Sequence, residues 1–351
     1  MRQFALSQVS AFVAQAHPGL RKTQLVDLCL VVHALAACGR PCLSAVARCL
    51  AGPSRLIHRI KRVWRFISNP RLPRERLAAQ LAYLNWAYGA GQKPRVILDY
   101  TDLGHGYVCL WAALVVRGRS VPLLGRVLPR LVTEGSRNTT ENALILDLQA
   151  LFGVGWVLVA DRGFARASLL ELLAAQGIDY VIRIDDQTAV YTTHGRQLIS
   201  ELPLGRKRRL WLGPVRYHSH RQVPTHLLIC RRQGQRWNLA SSLDDPRAIH
   251  HCYQSRMQIE EMFRDLKQHL NIERLPCRSL DRYATWLLLV AMAYSYLYWL
   301  GQTAQTAGLS DRYHYWKTES VFWLGLQLLL HTDPAVPRLS RRLLTRFYQS
   351  G

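Results

Sequence analysis

Acidic residues are scarce in this sequence. Its 351 residues hold 23 Asp and Glu against 46 Lys and Arg, a formal charge of +23. Such an imbalance disfavours a cationic partner and points to a large polyanion, most simply nucleic acid, with an anionic membrane surface as the weaker alternative. Lysine is scarce too. Six of the basic residues are Lys and 40 are Arg, spread along the whole chain rather than gathered in a tail. The eight cysteines form no CxxC and no Cys–His pair at metal spacing, which removes a cysteine-built zinc site. Cys38, Cys42 and Cys49 lie in an apolar helical stretch and read as buried thiols. No signal-peptide pattern opens the chain, so a reducing cytoplasm is the expected compartment. Long uncharged runs are lacking except for YATWLLLVAMAYSYLYWL at 283–300. Its Tyr, Thr and Ser residues are distributed through the run instead of collected at its ends. It therefore reads as a buried core helix and not a membrane span.

What is present is a chain long enough for two or three structural units. Residues 1–92 carry helical periodicity punctuated by Pro and Gly, as in ALSQVSAFVAQA, TQLVDLCLVVHALAA and PRERLAAQLAYLNWAY. The segment SRLIHRIKRVWRFISN is densely basic. Arg59 and Arg62 are its candidate phosphate contacts, the alternative being a solvated face. The pattern changes at Lys93. RVILDY, GYVCLWAALVV and SVPLLGRVL read as strands, ENALILDLQALFG as a helix, GWVLVA as a strand, ARASLLELLAAQG as a helix and DYVIRI as a strand. The order β-β-β-α-β-α-β predicts an α/β mixed sheet over 93–185. Residues 186–242 read as a β-rich insertion with AVYTTH, RRLWLG, VRYHSH, THLLICRR and RWNLASS as its strands. Helices return over 243–305, and a basic region, 306–351, closes the chain with PRLSRRLLTRFYQ.

Two strands end in an acid. Asp99 lies inside RVILDYTD, and Asp161 follows GWVLVA. A carboxylate in a buried strand is costly unless paired or metal-bound. For Asp161 the alternative is a turn or a helix N-cap before ARASLLELL. If the first and fourth strands are neighbours, the two acids lie side by side. A third acid is sought in YQSRMQIEEMFRDLK, residues 253–267. On one helix turning about 100° per residue, Tyr253, Arg256, Glu260 and Lys267 share an arc of about 60°. Ile259, Met262, Phe263, Leu266 and Leu270 fill the adjoining arc, and Glu261 points away. Ordinary ion pairs on an amphipathic helix produce the same spacing. Three carboxylates, a hard divalent cation and a basic surface would suit metal-assisted attack on a phosphodiester.

Taken together, Asp99, Asp161 and Glu260 resemble the acids of the ribonuclease H-like core of DDE transposases. Three features narrow the resemblance. The spacing Y-x2-R-x3-E-x6-K is met by Tyr253, Arg256, Glu260 and Lys267, and is similar to the YREK signature of the bacterial family named for insertion sequence four. Both acids sit in similar local settings, D-x-T-D and DRGF. The β-rich insertion between the second Asp and the Glu is in the same place. The resemblance covers about residues 50–305. It implies that Asp99, Asp161 and Glu260 bind two Mg²⁺ ions, with Mn²⁺ as substitute, one activating water or a DNA 3′-hydroxyl and the other the leaving oxygen. It implies that Tyr253, Arg256 and Lys267 grip phosphates of double-stranded transposon-end DNA, bound by a helical domain over 1–92. A homodimer would cut both ends and join them to target DNA. Trp237 would stack on a flipped base, or it packs in the core. Trp211 is a weaker candidate for the same role. Arg162 contacts DNA or balances the acids. Asp102 reads as a turn residue and His105 carries little signal. The rival readings are a DDE nuclease that does not transpose, an inert DNA-binding regulator, and a recombinase using Tyr253 as nucleophile.

Overall fold

Three consecutive apolar strands joined by tight turns can only fold back on one another, and they do. In a computed structural model, Arg95–Gly104 (β1), Tyr107–Val116 (β2) and Arg119–Pro129 (β3) form an antiparallel meander. The structure describes residues 21–50, 53–69, 72, 93–116, 118–204, 209–275, 280–310 and 320–331. The helices expected over 5–16 and 73–88 and the basic tail over 337–349 lie outside these residues. Helix Glu134–Phe152 (α4) carries the chain to Val157–Ala160 (β4), and Ala167–Ala175 (α5) carries it on to Asp179–Arg183 (β5). Both crossovers are long enough to make parallel strands. β4 lies parallel to β1, and β5 parallel to β4. The expected ribonuclease H-like mixed sheet is present. α4 starts at Glu134 rather than Glu141, because Thr133 Oγ1 accepts the Ser136 N–H at 3.3 Å and caps it.

The insertion builds Ala189–Thr192 (β6), Gly195–Leu198 (β7), Arg209–Tyr217 (β8), Val223–Arg232 (β9) and Gln235–Ser241 (β10). β10 pairs antiparallel with β5, so core and insertion share one ten-stranded sheet in the order β3-β2-β1-β4-β5-β10-β9-β8-β6-β7. The two strands expected in RRLWLG and VRYHSH are a single strand, β8. Gly213, at φ +66°, absorbs the break in their alternation as a bulge. The short polar strand β7 carries no apolar alternation and escapes a pattern-based reading.

Pro246–Gln254 (α6) and Met257–His269 (α7) follow. The single helix expected over 253–270 is interrupted at Ser255 and Arg256. There the amides of Ser255, Arg256, Gln258 and Ile259 bond three residues back instead of four, a tightened turn at which the helix changes phase. Ser255 Oγ donates to Cys252 O at 2.6 Å and satisfies a carbonyl at this joint. Leu280–Thr306 (α8) contains the long apolar run. It is the one helix among the described residues with the length and composition to cross a membrane, and 89% of its apolar window is buried. It packs on β3, on Lys22–Cys38 (α1) and on Val321–His331 (α9). Leu43–Cys49 (α2) and Leu56–Ile67 (α3) complete the helical layer, and one apolar core runs from Leu28 to Phe322.

α8 and α9 cross with backbone against backbone. A Cβ on Gly325 would lie 1.8 Å from Leu297 O, and one on Gly301 would lie 1.7 Å from Val321 O. Gly325→Ala is therefore expected to cost about 1–3 kcal/mol, the usual range for overpacking. A urea unfolding midpoint equal to wild type would show that the helices do not cross so closely.

Candidate active site

Parallel pairing sets the first two acids at one level. Leu98 pairs with Ala160, so Asp99, midway along β1, and Asp161, just past the end of β4, stand at one level on adjacent strands. Asp161 does not act as a cap: its side chain makes no capping hydrogen bond to the 3₁₀ turn Arg162–Phe164 that it precedes. Its Oδ1 instead accepts from the Tyr253 hydroxyl at 3.1 Å. Arg256, at the joint between α6 and α7, reaches into the same place. Its Nη2 lies 2.9 Å from Asp99 Oδ2 and 3.4 Å from Asp161 Oδ2, and its Nη1 lies 2.5 Å from Glu260 Oε1. The guanidinium side chain is 12% exposed. All three expected carboxylates thus meet on one internal cation.

The electrostatics follow from burial and crowding. Burial pushes the Asp99 carboxyl up, Arg256 pulls it down, and Asp161 and Glu260 add to the upward push. Burial works against the Arg256 charge, but Asp161 and Asp99 outweigh it, and its pKa is raised. Burial and the Asp161 charge raise the Tyr253 hydroxyl, which keeps its proton. Arg256 Nε is buried with no partner among the described residues.

The other expected residues are distributed around this centre. Lys267 pairs with Glu273 at 2.8 Å, further along α7. Glu261 pairs with Arg119 at 2.5 Å, away from the acids as expected. Arg162 is exposed on the turn after Asp161. Trp237 is 7% exposed in β10. It packs edge-on against Tyr253 with ring centroids 4.9 Å apart, and Arg232 covers it at 5.5 Å. Trp211, more exposed, stacks on His226. Asp102 caps a turn by accepting the Gly104 N–H at 2.8 Å, and His105 sits in that turn at φ 51°. Arg59 and Arg62, the expected phosphate contacts, are partly exposed and engage neighbouring helices. Arg59 donates to Leu50 O at 2.9 Å, and Arg62 pairs with Asp27 at 2.5 Å.

One network escaped the sequence reading. Tyr100, next to Asp99, points to the opposite face of β1, where its hydroxyl donates to Glu141 Oε1 at 2.9 Å. Glu141 also takes Arg166, five residues after Asp161, in a salt bridge, and Phe164 stacks on the Tyr100 ring at 5.8 Å. Burial raises the Glu141 carboxyl, and Arg166 and Tyr100 oppose the rise. One α4 residue thus ties together the segments that carry the first two acids. A signal was present: Glu141 falls on the same helix stripe as Leu144, Ile145 and Leu148, where an acid is out of place. The insertion is tied in as well, by Tyr217 of β8 donating to Ala165 O at 2.5 Å.

A comparison with protein families finds the transposase DDE domain over residues 104–296, more than half of the chain. The chain belongs to the DDE transposase family. No curated protein matches it. The matched segment takes in Asp161 and Glu260 and begins five residues after Asp99. As a DDE transposase domain this is a transposase-type nuclease with DNA as substrate, in a family that generally uses divalent metals. The side chains suit such an ion chemically, since three carboxylates gathered around one guanidinium are hard oxygen donors. Among the described residues no three His, Cys, Asp or Glu stand close enough to hold a metal as they are placed. The guanidinium occupies the meeting point of the three acids.

The Glu141 network makes a stability prediction. Glu141→Leu takes the counter-charge from the part-buried Arg166 and leaves it only the neutral acceptors Asn142 Oδ1 and Asn138 O, which should cost about 3 kcal/mol. Glu141→Gln keeps an acceptor and should cost less. Equal urea midpoints for the two variants would show that the charge pairing contributes nothing.

Proposed function

We propose that this chain is a cut-and-paste transposase of an insertion sequence, in the family named for insertion sequence four, with Tyr253, Arg256, Glu260 and Lys267 as its YREK residues. The observation that carries the reading is the convergence of Asp99, Asp161 and Glu260 on the one guanidinium of Arg256. These three acids would hold two Mg²⁺ ions, with Mn²⁺ as substitute. When bound, the metal supplies Lewis acidity for an in-line displacement at the scissile phosphate.

The chain's own groups position the DNA. Tyr253, kept protonated, offers a neutral donor beside Asp161, and Trp237 behind it fixes the ring. Arg256 offers a planar fork and Lys267 a point charge about three turns along the helix. The Lys267–Glu273 pair is partly exposed, so a phosphate draws the ammonium away at little cost. Arg162 adds a charge beside Asp161. On α3, Arg59 and Arg62 hold the helix in place, and its exposed edge of His58, Lys61, Trp64 and Arg65 is the part that meets phosphates. The division of labour is end recognition by 1–92, chemistry by 93–185 and 243–305, strand guidance by the insertion over 186–242, and added basic contact from 306–351. A homodimer brings two ends together in the cytoplasm.

The test is cleavage and joining of DNA carrying the element's own ends, with and without Mg²⁺. Asp99→Ala, Asp161→Ala and Glu260→Ala should each abolish cleavage and leave end binding largely intact, because removing a negative charge does not weaken phosphate contact. Cleavage without joining would reduce the protein to a nuclease, and binding without cleavage to a regulator. End affinity should fall with salt at a log–log slope near −0.9 for each phosphate contacted. A flat response measured by fluorescence anisotropy would remove the DNA contacts assigned above.

A further inference from the structure

We infer that Arg256 is the resident counter-cation of the acidic site, and that it yields the carboxylates to a divalent metal only when a DNA phosphate takes its guanidinium. The inference rests on the reading of Asp99, Asp161 and Glu260 as the metal-holding acids, and deepens it. Both terminal nitrogens of Arg256 are committed, Nη2 to Asp99 and Asp161 and Nη1 to Glu260. A metal ion binding these oxygens and a guanidinium bonded to them are mutually exclusive, since both need the same lone pairs and the same space. Each acid that Arg256 neutralises is an acid a metal must first win back. The metal-free, DNA-free protein is therefore held in a state of low metal affinity by its own side chain.

Two further observations indicate that the guanidinium is held there provisionally. Its Nε is buried with no partner among the described residues, so the acid-bound pose leaves one of its donors unused. A phosphate, with several oxygens, can satisfy the fork and Nε together. Arg256 is also anchored at the joint between α6 and α7, where backbone amides bond three residues back. Such a break in a helix often marks a hinge. Small rotation at the joint moves the guanidinium away from the acids while α7 keeps Glu260 in place.

The consequence is a positive coupling between DNA and metal, reciprocal by thermodynamic necessity. A transposase-type nuclease that loads metal poorly without DNA carries little free nuclease activity. Arg256 acts here as a positioning residue for the metal ligands, whatever it later contacts.

The experiment measures Mn²⁺ binding directly, by titration calorimetry and by the electron paramagnetic resonance signal of free Mn²⁺, at pH 8 so that protons do not compete for the acids. Without DNA, Arg256→Gln should bind Mn²⁺ about tenfold more tightly than wild type, within the usual range of coupling between sites. Arg256→Lys, which keeps the charge and loses the fork, should fall between. Wild type should gain Mn²⁺ affinity when a duplex is added, and the gain should shrink in Arg256→Gln. Arg256→Gln binding Mn²⁺ no more tightly than wild type overturns the proposal. So does a wild-type protein whose Mn²⁺ affinity is unchanged by duplex, an outcome that does not depend on any variant folding. Asp99→Asn and Glu260→Gln separate the two readings. If they leave Mn²⁺ binding intact, the assignment of the metal ligands fails. If they abolish it while Arg256→Gln gains nothing, only the competition fails.

Discussion

A single guanidinium makes the acidic site possible in the absence of metal. Three carboxylates, one inside a strand, one just past the end of its neighbour and one in the first turn of a helix, repel one another, and two of them are largely shielded from water. Without a cation among them, at least one would have to take up a proton or turn out to solvent. Arg256 removes that choice by binding all three. The rest of the architecture serves to deliver the four groups. Parallel pairing of β1 with β4 brings the first two acids together, and the joint between α6 and α7 aims the arginine and Glu260 at them.

That delivery depends on support behind the site. Alternation along β1 sends Asp99 to one face and Tyr100 to the other, and Tyr100 is fastened to Glu141. Glu141 in turn holds Arg166, in the segment that follows Asp161. The separation of the two acids is thus set by backbone register on one side and by a buried ion pair on the other. Tyr253 connects a third direction, with its hydroxyl on Asp161 and its ring on Trp237 of the insertion.

Much of this was legible in the sequence, for identifiable reasons. The strands of the core are long apolar runs with sharp turns, and their order left few topologies. An aspartate inside such a run was an anomaly, and the structure meets its charge with Arg256. Glu260 was chosen over Glu261 by helical phase, and the structure turns Glu261 to Arg119 on the other side. What could not be read was local phase and long-range pairing. The tightened turn at Ser255 and Arg256 depends on backbone bonding that Ser255 helps to satisfy, and no residue there is a helix breaker. The fusion of two expected strands into β8 hinges on Gly213, whose positive φ a sequence shows only as permission. The engagement of Arg59 by the end of α2 and of Arg62 by Asp27 rests on contacts invisible to a count of charges. The place of Arg256 among the acids follows from a meeting of three elements, which spacing on one helix does not contain.

The junction of β5 with β10 has a consequence for how such chains diverge. The insertion leaves the core at the end of β5 and comes back as the very next strand of the sheet. Departure and return are therefore neighbours in space, although more than fifty residues separate Arg183 from Ser241. Strands can be gained or lost beyond β10 without moving the ends of the excursion or the register of the strands that carry the acids. Descendants of this gene can thus remodel the outer sheet while the strands that carry the two aspartates stay fixed.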